Sequence, residues 1–597
     1  MNKRSDRLAP SFQRALELHQ RGDLPGAERA YRAILQGAPR HFAALHLLGL
    51  IKAQQGQFSE AHRLLSRALE AEPNSLPCLS SLAGVLAALG REEEALAISD
   101  RILRLEPDDV DTLYNRGLLL GRLGRSAEAL DAYGRALRLK PDFAAALVNR
   151  GNALAQLGRA AEAVADFDRV ITLNPRHAEA HSNRGLALAE LDRREDALAS
   201  YDRALALKPD YAEAHNNRGL LLQSLNRHAE ALAEYDRAQA LKPDHADACN
   251  NRGLALHDLH RYEDALASYR QALTLRAGFA EAHFNQSLTQ LAVGDLAAGW
   301  VNYEWRWKTR KSTAPWRDFP QPLWLGREPL AGKTILLHAE QGFGDTIHFA
   351  RYVPLVAALG AVVVVETQPA LKGLMARLDG VSAVVERGAA LPAFDCHCPL
   401  GSLPHAFATE LATIPAKAPY LAAEPARVAH WRDRLVSCKR PVIGIVWCGN
   451  PTFRGDHNRS MAFSRFAPIA AAVDATYVTL NPGGTAADAI DLAAHAGVVD
   501  LASEFRDFDD TAAVIAGLDL VITTDTAVAH LAGALGKPAW ILLSDSPDWR
   551  WLLDRADCPW YPSARLFRQA ALGDWAPVIS RVQQELANFV ATGAPSG

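Results

Sequence analysis

The chain has 597 residues, a formal net charge of −4, and 49% apolar and 22% charged residues. That length exceeds what one hydrophobic core organises, so roughly two to four domains are expected. The mild acidity excludes bulk-charge binding to nucleic acid or anionic membranes, both of which need a basic surface.

No run approaches the roughly 18–20 apolar residues that cross a bilayer, and no apolar block follows the basic N-terminus, so no secretory signal is read there. Seven cysteines are scattered without framework spacing, and a reduced, cytoplasmic setting is the simplest reading. Cys396-His397-Cys398 lacks the second pair that a zinc site needs, so no metal is expected there.

The N-terminal half repeats every 34 residues. Asn-Arg-Gly begins at Asn115, Asn149, Asn183, Asn217 and Asn251, and alanine recurs from Ala27 through Ala61, Ala95 and Ala129 to Ala265. Proline closes the units from Pro39 to Pro243, because it cannot donate the helical hydrogen bond. Gly117 and its equivalents allow close approach of the two helices of a unit, and Tyr133, Phe167, Tyr201, Tyr235 and Tyr269 are expected to fill space between units. The period and pattern resemble tetratricopeptide repeats over eight units, 8–279, with a degenerate ninth to 311 in which Ala277 replaces the proline. Such units stack into a superhelix with a concave inner face.

Asn115, Asn149, Asn183, Asn217, Asn251 and Asn285 share one repeat position. A row of amides on the inner face suits an extended polypeptide, since each offers donor and acceptor; the alternative is bonding within the repeats. The row resembles the asparagine ladder of repeat-bearing O-GlcNAc transferases, which implies acceptor binding at these six residues. Solenoids also self-associate, so a homo-oligomer stays open. Trp300, Tyr303, Trp305 and Trp307 then read as a cap docking the last repeat on the next domain, and proline-rich 312–333 as a linker.

From Thr334 the pattern becomes strand–loop–helix. TILLH, AEQGFGD and a helical stretch precede AVVVVE, a buried parallel strand, giving one α/β domain over 334–430. A connector is read around 425–439. PVIGIVWCG, TYVTL, VVDL, LDLVIT and AWILLS mark a second α/β domain, 441–597. Tandem doubly wound sheets place ligands at the carboxyl ends of the strands. QGFGD offers Gly342 and Gly344 after a strand, with Glu366 ending the next, but Ile347 stands where a third dinucleotide-binding glycine would be.

In TTDTAVAHLAGALGKP a strand turns into a short helix of small residues. A helix N-terminus there suits phosphate, with Asp525 or Thr526 as the cap, amides of Thr526, Ala527 and Val528 for the ligand, and His530 within reach. The expectation is an electropositive pocket. The motif D-T-A-x-x-H-L-A-x-A-L-G-K-P resembles the nucleotide-sugar motif of heptosyltransferase-type glycosyltransferases, which have the two-domain GT-B fold. That resemblance implies donor contacts at Asp525, Thr526, Ala527 and His530, and it makes Asp345, in the Gly-Asp loop with Gly342 and Gly344, the catalytic base. His338 and His348 flank the loop as rival bases. The family's phosphate lysine has no counterpart here; the loop CGNPTFRGDHNRS offers Asn450, Arg454 and Arg459 instead. PLGSLPHAF and SPDWRWLLDRADCPWYPSARLFRQ are similar to bacterial repeat-containing transferases, flagellin-modifying ones included.

Taken together, the resemblances imply an all-α repeat superhelix followed by a GT-B fold of two Rossmann-like domains. The implied reaction is metal-independent, inverting transfer of a sugar from a nucleotide-sugar substrate, without a cofactor, to Ser or Thr of an acceptor protein, flagellin among the candidates. A saccharide acceptor and a noncatalytic scaffold are the alternatives.

Overall fold

The computed structural model describes residues 5–309, 317–452, 455–480, 486–495 and 497–592. It divides into two compact units, Met1–Pro243 and Asp244–Gly597.

The described part of the first unit is all helical, from Ser5–Gln20 to His228–Leu241, in antiparallel pairs. The repeat positions explain the pairing. A Cβ on Gly117 would lie 2.3 Å from the Tyr133 ring, and one on Gly151 2.7 Å from Phe167. Each ring therefore packs first on the glycine of its own repeat, not only in the gap between units. Arginines of the second helices close the turns: Arg67 and Arg101 donate to the Pro39 and Pro73 carbonyls at 2.8 and 2.6 Å.

The second unit begins with helices of the same kind, Ala246–Asp258, Tyr262–Leu275, Ala280–Val293 and Leu296–Tyr303, and a short turn, Glu304–Lys308. Trp300 is buried and packs edge-on against Trp549 at 5.1 Å, with Phe349 and Trp560 around it. Trp305 instead stacks on His283 at 4.0 Å. The rings around Trp300 fasten the last repeat to the α/β region that follows.

That region holds two parallel sheets. The first contains β1 (Thr334–His338), β2 (Val362–Thr367), β3 (Val381–Glu386) and β4 (Cys396–Pro399) in the order β3-β2-β1-β4. Cys396, His397 and Cys398 are thus strand residues, all buried. Segment 322–324 runs along β4, with the Trp324 amide donating to the His397 carbonyl at 2.8 Å. The second contains β5 (Val442–Val446), β6 (Thr476–Thr479), β7 (Val498–Val499), β8 (Leu520–Thr524), β9 (Ala539–Leu543) and β10 (Ala564–Arg568) in the order β10-β9-β8-β5-β6-β7. Four of these strands, β5, β6, β8 and β9, are buried along their whole length, as helix-covered parallel sheets require.

Two local readings change. The segment read as a connector contains a helix, Pro425–Leu435, packed on Phe508–Gly517 of the second lobe; Trp431 Nε1 donates to Asp510 at 3.1 Å and Arg427 pairs with Asp507. A tenth strand, β10, extends the second sheet beyond the five expected. Among the described residues no helix is long and apolar enough to cross a membrane.

Candidate functional site

In the second sheet the winding reverses between β5 and β8, so the loops leaving their carboxyl ends open a crevice suited to a ligand. A cavity of about 290 Å³ lies there. Gly455, Asn458 and Arg459 reach it from the loop after β5, and Asp525 from the turn after β8. The loop after β9 adds Ser544, Ser546, Pro547, Asp548 and Trp549. Its third wall comes from the last repeats: His257, Leu288 and Ala292.

The charges are mixed. Arg459 holds Asp456 at 3.0 Å, and Asp525 and Asp548 set two carboxylates in the same lining. The expected electropositive pocket is therefore corrected to one with carboxylates beside the cation. Burial, with Asp548 adding to it, raises the Asp525 carboxyl to about 6 against the pull of Arg459. A carboxyl so placed suits sugar hydroxyls better than a phosphate.

Asp525 does not cap the helix Ala527–Ala534. Its N-cap is Thr526, in extended backbone, with no side-chain cap bond; the Thr526 hydroxyl lies 3.1 Å from that of Thr523. The Asp525 side chain belongs to the cavity wall instead. Ala527 stays part-exposed at the first turn and Val528 is buried.

His530 sits one turn further on, behind this wall. Its ring stacks on Trp551 at 5.3 Å, and Nδ1 lies 3.0 Å from the Tyr561 hydroxyl. The same hydroxyl is 3.1 Å from His348 Nδ1, so one phenol joins the two histidines. Burial holds both imidazoles well below their usual pKa. Gly344 packs directly on His530: a Cβ there would lie 2.8 Å from Cδ2.

Asp345 accepts from the Gly342 amide at 3.0 Å, closing the first turn of Phe343–Phe349. Its other oxygen accepts from Arg550 at 2.5 Å, and Arg550 also binds Asp548 at 2.9 Å. A chain of charges, Asp345–Arg550–Asp548, thus links the Gly-Asp loop to the cavity rim. Burial raises the Asp345 pKa and Arg550 opposes it. His338 lies elsewhere, at the end of β1, with Nε2 3.2 Å from His397 Nδ1; burial and that neighbour pull it to about 3. Asp345, His338 and His348 therefore occupy three distinct environments, and none of them is among the cavity's lining residues.

Asn450 is exposed and accepts from Thr452 in a local turn. Arg454 lies outside the described residues. Glu366, where a dinucleotide site would place its ribose acid, is buried and ion-paired with Arg317.

In the first unit Asn115 is exposed, Asn149 donates to Tyr114 at 3.1 Å, Asn183 to Asn152 at 3.0 Å, and Asn217 accepts from Asn216 at 3.4 Å. In the second, Asn251 accepts from Asn250 at 3.2 Å and Asn285 donates to Asn250 at 3.0 Å. These partners lie on neighbouring repeats or next door in the chain, and Asn149 through Asn285 stay partly exposed.

Models of tetratricopeptide repeats match the chain at 18–77, 52–116, 114–178, 160–211, 182–246 and 246–279. The model of glycosyltransferase family 9 (heptosyltransferase) matches 467–571. This chain joins tetratricopeptide repeats to a glycosyltransferase family 9 domain. The family 9 match takes in Asp525, Thr526, Ala527, Val528, His530 and the cavity loop after β9. Protein FlbA of Caulobacter vibrioides is 30% identical over 338 residues, 52% of this chain; the alignment spans 55% of FlbA, about half its length. Among solved structures, the chain is similar to a tetratricopeptide repeat protein from Parabacteroides merdae (21% identity, 42% of this chain and 98% of that one, TM-score 0.34). It is also similar to YrrB, a TPR protein with an unusual peptide-binding site (25% identity, 31% and 95% covered, TM-score 0.27).

Sequence reasoning missed the loop after β9 and the cavity's third wall. Ser544, Ser546 and Asp548 sit just past a strand in the family 9 domain, and the carboxyl-end rule could have singled them out. His257, Leu288 and Ala292 carry no such signal, because only the fold brings the last repeats to this loop.

Proposed function

We propose that the protein transfers a sugar from a nucleotide-sugar donor to a Ser or Thr hydroxyl of an acceptor polypeptide. The reading is carried by one observation: the segment matched by the family 9 model contains the turn and loop that line the cavity at the β5/β8 reversal. Asp525, Ser544 and Ser546 offer acceptors and donors for sugar hydroxyls. In this reading Arg459, with the first turn of Ala527–Ala534 behind Asp525, balances charge on the departing phosphate, the task a metal performs in other transferases. The displacement inverts the anomeric carbon. The asparagine row serves the acceptor: an amide that donates one N–H, as those of Asn149 and Asn183 do, has a second donor and an acceptor to offer a peptide backbone. Flagellin is the first acceptor to try.

The test incubates the full chain with UDP-, GDP-, ADP- and CMP-linked sugars and flagellin, and reads intact mass. A sugar-sized increment that is lost in Asp525→Asn and Arg459→Ala supports the reading. Failure of the wild type to bind any of these donors sinks it. Replacing Asn149, Asn183 and Asn217 together by alanine should weaken protein modification while donor hydrolysis persists. A noncatalytic scaffold is the second reading, favoured by the Arg550 guanidinium that occupies Asp345; it predicts donor binding without turnover.

A further inference from the structure

Among the described residues His257 is the one imidazole in the cavity wall, and it comes from a repeat helix, not from either α/β lobe. Its surroundings fix its protonation. Nδ1 lies 2.9 Å from the Thr289 hydroxyl, and that hydroxyl donates to the Asn285 carbonyl at 3.2 Å. A threonine has a single hydroxyl proton, and here it goes to the carbonyl one turn back. With its proton on that carbonyl, the Thr289 oxygen is free to accept from His257, an arrangement in which Nδ1 carries the hydrogen and Nε2 keeps its lone pair. Tyr262 meets the ring edge-on at 5.3 Å and fixes its plane. Burial lowers the pKa, against the pull of Asp258, and keeps the resting ring neutral. A neutral imidazole held in one tautomer by a fixed acceptor has the form of a general base. The candidate bases read from the sequence lie away from this space, and Asp345 is engaged by Arg550.

We propose that His257, supplied by the repeats, is the catalytic base for the attacking hydroxyl; this rests on the glycosyl-transfer reading above. In the step, the acceptor O–H bond breaks and its proton passes to His257 Nε2. The oxygen bonds to the anomeric carbon, whose bond to the phosphate oxygen breaks, and the electron pair leaves with the nucleotide. The imidazolium so formed stands in the last turn of Ala246–Asp258, where the helix dipole favours a cation, and shares the cavity with Asp525 and Asp548. The acceptor is therefore a hydroxyl group that reaches the donor along the last repeats, which fits a side chain of a polypeptide lying on them.

The experiment measures nucleotide release by the full chain from UDP-, GDP-, ADP- and CMP-linked sugars without an acceptor, so that water is the attacking hydroxyl. His257→Asn keeps an N–H for Thr289 but has nothing at the Nε2 position. Its kcat is expected to fall about 100-fold, with KM for the donor and the thermal midpoint as in the wild type. Thr289→Val, which frees the tautomer, is expected to lower kcat about tenfold and gives a second measure if the first variant folds poorly. A kcat for His257→Asn within threefold of wild type overturns the assignment and leaves the transferase reading standing. No release by the wild type from any of the donors, with flagellin present or absent, removes both.

Discussion

The two α/β lobes wind alike, and each reverses beside its first strand, yet the two crevices have opposite fates. In the second lobe the crevice between β5 and β8 holds the cavity. In the first, the reversal between β1 and β4 is filled by the protein itself. Arg306, from the turn after the last repeat, makes two bonds of 3.1 Å to Glu340 beyond β1 and one of 2.7 Å to Ser402 beyond β4. It also holds Glu304 at 2.7 Å. Gly401 leaves room for nothing more, since a Cβ there would lie 2.2 Å from Glu340 Oε1. A place the topology suits to an anionic ligand thus holds a buried guanidinium that ties the repeats to the sheet.

Breaking that fastening has the largest expected effect. Arg306→Ala would leave Glu340 buried without its cation, a loss of about 3–5 kcal/mol, read as a lower urea midpoint by tryptophan fluorescence. Arg459→Ala, its counterpart in the open crevice, is part-exposed and should cost under about 1 kcal/mol while abolishing donor binding. Equal stability losses in the two variants would mean that both crevices are structural. Next in size is Gly344→Ala. The new methyl meets His530, which cannot retreat because Trp551 stacks on it and Tyr561 bonds it. A cost of about 1–3 kcal/mol is expected, with the two-histidine cluster disturbed in the imidazole NMR signals.

How much of this was legible in the sequence follows from the range of each signal. Repeat period, proline stops and close-packing glycines act within about 34 residues, so the helical pairs could be read directly. Buried strands such as TILLH and AVVVVE declared themselves by unbroken apolar runs. The short β10, ARLFR, was missed because two arginines interrupt it; its pairing with β9, not its composition, makes it a strand. At the site, local chemistry found Asp525 and Arg459, which line the cavity. It could not see that Arg550 would claim Asp345, 205 residues away in sequence, or that His257 would face Asp525. Nothing in the residues around His257 distinguishes it from the other repeat histidines until the loop after β9 is folded against it.

A smaller effect than that of Gly344→Ala carries the reversed sign. Asp525 titrates near 6 in the folded chain against 3.8 ordinarily, because burial and Asp548 outweigh Arg459 and Arg550. A carboxyl raised by folding contributes stability below about pH 4 and loses it as pH rises through 6. At pH 8 the native state therefore carries the ionised group at a cost. Two pKa units correspond to roughly 3 kcal/mol, which partial exposure reduces to about 1–2. Asp525→Asn should raise the thermal midpoint at pH 8, leave it nearly unchanged at pH 4, and lose donor binding at both. A carboxylate kept at the expense of stability is what a ligand site requires and a packing role does not. If Asp525→Asn instead destabilises the protein at pH 8, the charge belongs to the scaffold, and the open crevice loses its distinction from the filled one.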